Sequence, residues 1–273
     1  MIHEIGPHIF RNEWKPRKPA ADDVVFGYDG RNAILKSDQT FFRYSELDHS
    51  HEFVYLFEID DTAFFLTDIP NLPNAISLNI NFARTYEPKE LGFACVTGWQ
   101  LYQWRRHNRF CGSCGTQMIP DGKERAMRCP KCGNINYPRI NPAVIVGVLN
   151  ERNELLITQY AISHGEYRHD ALVAGYCEIG EPIEACVKRE VKEETGLSVT
   201  NLRYYKSQPW PFSESILFGF FCDVEQGEIR IDRHELRSAV WKAADDAYDV
   251  PGAASLTADM ITHFRSGNIR FGD

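Results

Sequence analysis

Short apolar, β-rich runs alternate with polar turn clusters through residues 1 to about 107, the pattern of strands joined by turns. "DDVVFGYDGRNAIL", "FVYLFEI" and "TAFFLTDI" are such runs, separated by the turns "YDGRN" and "DD". "DIPNLPNA" is interrupted by prolines and predicts a loop. The period then changes. In "ELGFACVTGWQLYQWRRHNRF" the apolar residues Leu91, Cys95, Trp99 and Tyr102 recur at helical spacing, which predicts a helix leading into the next module. A polar stretch rich in cysteine follows, and from Pro142 the strand pattern returns. "AVIVGVL" and "ELLITQ" are joined by the turn "NERN" as a hairpin, and "ALVAGY" is a further apolar run. After it come a helix, the segment "SQPWPFSES", the strand "SILFGFFCDV" and a mixed C-terminal tail. Pro209 and Pro211 lack the amide hydrogens that a central strand must donate, so the segment predicts a stiff aromatic loop. The pattern divides the chain into an α+β domain over residues 1–107, a small module over 108–139 and a third domain over 140–273.

Composition narrows the class. Hydrophobic residues at 43% and charged residues at 25% are those of a soluble globular protein. No run of about 18 apolar residues occurs, which argues against a membrane partner. The first residues, "MIHEIGPHIFRNEWKP", lack a basic segment followed by an apolar core, so the expectation is no secretory signal and a cytoplasmic location. A net charge of −8 argues against a general nucleic-acid coat. It leaves room for one anionic ligand, particularly where a metal ion supplies positive charge.

Four of the eight cysteines are scattered (Cys95, Cys177, Cys186 and Cys222) and read as small, mostly buried thiols. The other four form "CGSCG" and "CPKCG": Cys111 and Cys114, fourteen intervening residues, then Cys129 and Cys132. Each pair sits on a tight turn that Gly115 or Gly133 permits, and together they offer four thiolates to one ion. With every tetrahedral position taken by sulfur, such a zinc is structural and has no open site for catalysis.

The helix after "ALVAGY" carries the strongest chemistry. Glu181-Pro182 marks its start and Gly196 its stop, and Ile183, Val187 and Val191 form a buried stripe. Glu190, Glu193 and Glu194 lie at i, i+3 and i+4, which brings three carboxylates onto one face. Like charges at that spacing repel, and a divalent cation reverses the sign of the interaction. Hard oxygen ligands suit Mg2+ or Mn2+, which commonly bind together with substrate phosphates. A solvated helix whose Lys188, Arg189 and Lys192 balance its glutamates is the plainer alternative.

The longer pattern decides between them. Gly175, five residues, Glu181, seven residues, Arg189-Glu190-Val191, one residue, Glu193-Glu194, one residue and Gly196-Leu197 resemble the Nudix box at every defined position. That resemblance implies a mixed sheet sandwiched between helices and hydrolysis of a nucleoside diphosphate linked to another group. It implies Glu190 and Glu194 as metal ligands, Glu193 as ligand or aid to water deprotonation, Arg189 as the residue that holds the glutamates, and the Ala174 carbonyl as a further ligand. The four-cysteine ribbon before the box and "SQPWPF" after it resemble the NADH pyrophosphatase subfamily, whose bacterial members also remove NAD caps from RNA. The resemblance runs clearly from Phe110 to Trp241 and only loosely before it. It departs from the subfamily at Ser213, where relatives have a third proline.

Carried over position by position, Gln208, Pro209, Trp210, Pro211, Phe212, Ser213, Glu214 and Ser215 are expected to line the dinucleotide pocket. Tyr176 is expected against the nicotinamide ring, Glu124 and Tyr137 at the substrate partly across a homodimer, Glu235 as an acidic metal ligand, and Ala258 as a backbone contact to the base. His164, His169 and His234 read as surface or substrate-loop residues, and His3, His8, His49 and His51 as surface or turn residues. Arg105, Arg106, Arg109, Arg125 and Arg128 form a basic path that would guide an RNA tail. The expected activity is hydrolysis of NADH to NMNH and AMP, extending to NAD+ and NAD-capped RNA. The rivals are a Nudix hydrolase of another nucleotide such as ADP-ribose, and a non-enzymatic zinc-ribbon protein that binds RNA.

Overall fold

In the computed structural model the chain divides into two compact units, Ile2–Arg139 and Ile140–Asp273, the second joined by Met1. The structure describes residues 1–68, 75–161, 169–250, 252 and 254–273. Most of the proposed loop "DIPNLPNA" and His164 lie outside the described residues.

The first unit is built on a seven-stranded sheet of β1 (Phe10–Arg11), β2 (Val24–Asp29), β3 (Asn32–Lys36), β4 (Phe42–Arg43), β5 (Val54–Ile59), β6 (Thr62–Leu66) and β7 (Ala75–Asn79). Its main path runs β1-β5-β6-β2-β3-β7, with β4 also paired to β2. Only β2 and β6 run parallel; the other pairs are antiparallel. Helix α1 (Lys89–His107) covers this sheet. The spacing of Leu91, Cys95, Trp99 and Tyr102 predicts this helix, and its N-terminal half is buried almost all round, over Gly92–Val96. The Tyr28 hydroxyl donates to the Cys95 carbonyl at 2.7 Å, and the Trp99 indole donates to the Gly30 carbonyl at 2.9 Å. These bonds satisfy polar groups that the burial would otherwise strand. The small module follows as three two-residue strands, β8 (Ile119–Pro120), β9 (Met127–Arg128) and β10 (Ile135–Asn136).

The second unit contains a six-stranded mixed sheet, with β11 (Asn141–Leu149), β12 (Leu155–Tyr160), β13 (Val173–Tyr176), β14 (Ser198–Trp210), β15 (Ser215–Gln226) and β16 (Leu236–Lys242). The order is β14-β15-β11-β12-β16, with β13 paired to β11; β11 and β15 run parallel and the rest antiparallel. Strand β11 shows why the layers form. Val144, Val146 and Val148 point into a core with Val187 and Val191 of helix α2 (Ile183–Thr195). The alternate residues Ile145 and Leu149 point into a core with Leu256, Met260 and Phe264 of helix α3 (Leu256–Arg265). The two-residue period of one strand thus feeds two helical layers, giving the expected α/β/α sandwich. Each fully buried valine of α2 contributes roughly 1.5–3 kcal/mol.

Candidate active site and zinc ribbon

Helix α2 begins after Pro182 and ends at Gly196, whose φ of +76° is the left-handed geometry of a glycine C-cap. Its buried stripe fastens one side to the sheet and turns the glutamates toward β13. A Cβ added to Gly175 would stand 2.0 Å from the Glu190 carboxyl carbon. Only glycine lets that carboxylate lie against the strand.

Arg189 organises the acids around it. Its Nε and Nη2 form a fork on Glu181 at 2.8 and 2.9 Å, Nη1 donates to Glu190 at 2.7 Å and to Glu193 at 2.9 Å, and Nη2 donates to the Tyr176 carbonyl at 2.9 Å. The guanidinium holds the Glu181 carboxyl down at about 2, and Glu181 foremost pushes the pKa of Arg189 well above its ordinary value. Glu194 behaves in the opposite way. It is 6% exposed, and its Oε2 has no hydrogen-bond partner. Burial first, then the charge of Glu190, raises its pKa to about 8, while the Ala174 amide acts in the other direction. Burial likewise raises Glu190, against the pull of Arg189.

A buried carboxyl with an unpartnered oxygen costs stability unless it stays neutral or meets a cation. The orphaned Oε2, together with the hard oxygen donors of Glu190 and Glu193, fits a divalent cation. The fit is incomplete as arranged. Among the described residues only the four cysteines bring all their ligand atoms within 4.8 Å of one another, and Arg189 engages Glu190 and Glu193. Two further acids act electrostatically on Glu194: the expected Glu235, and Asp232, which sequence reasoning missed. Asp232 also ties its own amide to the Glu194 carbonyl at 2.9 Å. The only sequence signal for it was its position three residues before Glu235 in "DRHE".

The aromatic segment differs from the loop that its prolines predict. Residues 207–210 are the end of β14, an edge strand in which Pro209 faces Ile216 of β15. An edge strand tolerates proline because one side of its ladder is unpaired. Pro211–Ser213 then forms a short 3-10 turn, and Glu214 takes φ +54° to close the hairpin. Gln208 is fully buried: its amide donates to the Ala254 carbonyl at 2.8 Å and its carbonyl accepts from the Leu256 amide at 2.6 Å. This corrects the expectation of a pocket-lining side chain, because both ends of the amide anchor the start of α3. Pro211 and Phe212 are buried too, Phe212 with its ring 4.9 Å from that of Trp210, which stays partly exposed. Ser213 is exposed.

The hairpin meets the box at Tyr176. Register explains the meeting: β11 pairs Ala143 with Tyr176 on one side and Asn141 with Ser215 on the other. The Ser215 hydroxyl lies 3.3 Å from that of Tyr176 and 2.9 Å from that of Ser213. The Tyr176 ring is 51% exposed, so a flat surface stands beside the glutamate cluster. Ala258 departs from expectation, since its amide donates to the N-cap Ser255 and its carbonyl accepts from the Thr262 hydroxyl of α3 itself. His169 faces Asp249 at 3.0 Å and His234 is exposed.

In the small module the Sγ atoms of Cys111, Cys114, Cys129 and Cys132 approach to 3.5–3.6 Å in three pairs. Four thiolates at about 2.3 Å from one zinc stand roughly 3.8 Å apart, so the cluster fits that ion. Gly115 and Gly133 have φ of +69° and +77° and donate their amides back to Cys111 and Cys129. The Ser113 amide foremost holds the Cys111 thiol down at about 6, toward the thiolate a metal needs. Tyr137 donates to Glu124 at 2.9 Å, so these two residues expected at the substrate contact each other. The basic path does not hold together. Arg125 bonds Asn12 and the Leu56 carbonyl and stacks over Trp14, and Arg128 pairs with Asp121 at 2.6 Å, leaving Arg105, Arg106 and Arg109 as a separate group.

A mixed sheet between helices, a Glu-bearing box helix and a four-thiolate ribbon define a zinc-ribbon protein with a Nudix domain. Residues 139–264 match the NUDIX domain, and residues 106–137 match the NADH pyrophosphatase zinc ribbon domain. It is 41% identical over 169 residues to the NAD-capped RNA hydrolase NudC of Pseudomonas aeruginosa (strain LESB58), covering 61% of this chain and 60% of that protein. To the protein of the same name from Salmonella paratyphi C (strain RKS4594) it is 41% identical over 164 residues, covering 60% and 63%. The match therefore spans under two thirds of these relatives' length. Among solved structures it is similar to a NUDIX hydrolase from Nitrosomonas europaea, with a TM-score of 0.49 and 21% identity over 59% of this chain and 92% of that one.

Proposed function

We propose that the chain hydrolyses the diphosphate bond of NADH to NMNH and AMP with Mg2+ or Mn2+, and acts also on NAD+ and on NAD-capped RNA. The observation that carries this reading is the juxtaposition of the half-buried Glu190 carboxylate, packed against Gly175, and the buried Glu194 with the exposed Tyr176 ring one residue further along β13. A carboxylate cluster suited to a diphosphate's counter-ion beside a surface suited to a planar base supports the reading.

In the proposed reaction a water oxygen bonds to one phosphorus as the bridging P–O bond breaks, leaving two monophosphates. A divalent cation held by Glu190 and Glu194, with Glu235 nearby, would neutralise the diphosphate and lower its resistance to attack. Glu193 is 58% exposed and accepts the proton of the attacking water. Arg189 holds Glu190 and Glu193 in place through charge-assisted hydrogen bonds from one Nη1. Tyr176 stacks on the nicotinamide and Trp210 packs beside it. A homodimer, with Glu124 and Tyr137 reaching across it, belongs to the same reading and is checked by sedimentation.

One observation favours a second reading, hydrolysis of another nucleoside diphosphate such as ADP-ribose. With Gln208 and Phe212 buried, few side chains of the hairpin remain to recognise a nicotinamide. Zinc-loaded protein incubated with Mg2+ or Mn2+ and NADH, NAD+, ADP-ribose or NAD-capped RNA separates the two. NADH or capped RNA turned over fastest supports the first reading, and ADP-ribose turned over far faster supports the second. No turnover of any substrate, with the Glu194→Gln variant as baseline, sinks both.

A further inference from the structure

Arg105 and Arg106 in the last turn of α1, with Arg109 just beyond it, take no part in the proposed hydrolysis. They line a cavity of about 570 Å3 whose walls all come from the unit Ile2–Arg139. That volume is in the range of small-molecule sites. Arg106 and Arg109 are exposed and Arg105 is half-buried. Among the described residues none of these three guanidiniums has a hydrogen-bonded or ion-paired partner, unlike Arg125 and Arg128 in the same unit. Three cations within about one helical turn repel one another, and an anion relieves the repulsion.

The cavity is not uniformly basic. Glu52 and Asp68 also line it and act on Arg105, favouring the cation that burial disfavours. Leu66, Met118 and Met127 give it a buried apolar floor, and the half-buried Tyr102 ring stands above the arginines in the same helix. One wall therefore suits an oxyanion, the floor and Tyr102 suit a flat apolar group, and the carboxylates suit hydroxyl donors. A bare inorganic anion uses only the first and is repelled by the third. A nucleic-acid chain needs more positive charge than three arginines facing two carboxylates supply, since its binding grows with the number of phosphates neutralised. We propose that this cavity binds a free nucleoside monophosphate, with the phosphate on Arg105, Arg106 and Arg109, the base on Tyr102 and the apolar floor, and the ribose hydroxyls on Glu52 and Asp68.

Hydrogen exchange on the intact, zinc-loaded chain tests this, because its readout is local and stands whether or not the hydrolysis reading holds. Millimolar AMP is expected to slow exchange by more than about threefold in peptides covering 102–109 and 117–120. The Arg106→Gln/Arg109→Gln double variant, altered at two exposed positions, is expected to lose that protection and keep the exchange pattern of its zinc ribbon. Adenosine and inorganic phosphate are expected to protect weakly. No protection by AMP, equal protection by inorganic phosphate, protection by a short oligoribonucleotide alone, or protection that survives the double substitution each overturns the proposal.

Discussion

At Glu194 burial and a neighbouring negative charge both oppose ionisation. Replacing it with Gln removes a buried group that must either stay neutral or find a cation, so the two readouts of Glu194→Gln are expected to move in opposite directions. Turnover falls by about two or more orders of magnitude. The thermal midpoint without divalent cation stays level or rises, because the charge that resists burial is gone. A fall in that midpoint would mean that the carboxyl is satisfied in the fold. Glu181 has a different part. Arg189 lowers its pKa from the ordinary 4.5 to about 2, so its contribution to stability is present above about 4.5 and is lost as pH falls toward 2. The melting curves of the wild type and Glu181→Gln should therefore be separated above pH 4.5 and converge below it. A gap that stays constant down to pH 2 would place the effect of Glu181 in packing.

Among the elements, the β14–β15 hairpin and α3 depend on one side chain. Gln208 connects the strand to the backbone of Ala254 and Leu256, 46 and 48 residues away. Gln208→Ala leaves the buried Leu256 amide and the half-buried Ala254 carbonyl without this partner and is expected to cost about 1–3 kcal/mol by chemical denaturation. A changed KM with unchanged stability would instead make Gln208 a ligand contact. This hairpin shows where the sequence was legible and where it was not. The box helix could be read because its stripe, its glycine stop and its three glutamates fall within one local period. Pro209 and Pro211 correctly excluded a central strand, but local rules could not tell an edge strand from a loop. That distinction depends on which neighbour β14 lacks. Helix α1 was legible as a helix from its spacing, but the extent of its burial over Gly92–Val96 was not, because that reflects what the sheet and connecting segments place around it.

At the scale of the molecule, each unit has its own source of order. The second is a two-sided sheet with a helical layer on either face. The ribbon has three two-residue strands and little core, so its metal supplies the order that packing cannot. Removing zinc with a chelator is expected to raise hydrogen exchange across residues 109–137 toward that of an unfolded segment. Unchanged exchange in a chain shown to contain no zinc would refute the structural metal. Among the described residues no helix is long and apolar enough to cross a membrane.

By itself the sequence determined the chemistry that depends on near neighbours: the two cysteine knuckles with their glycines, and the box helix with its arginine and glutamates. In each case the ligand set is closed by a turn or by one helical period, which spacing alone specifies. Tertiary structure decided what long-range approach controls. It buried Gln208, set Asp232 beside Glu194, brought Ser215 to Tyr176 through the register of β11, and divided five arginines into two that brace the fold and three that face a cavity. Which side chain is sealed and which is left for a ligand depends on contacts between segments tens of residues apart, and no local pattern encodes them.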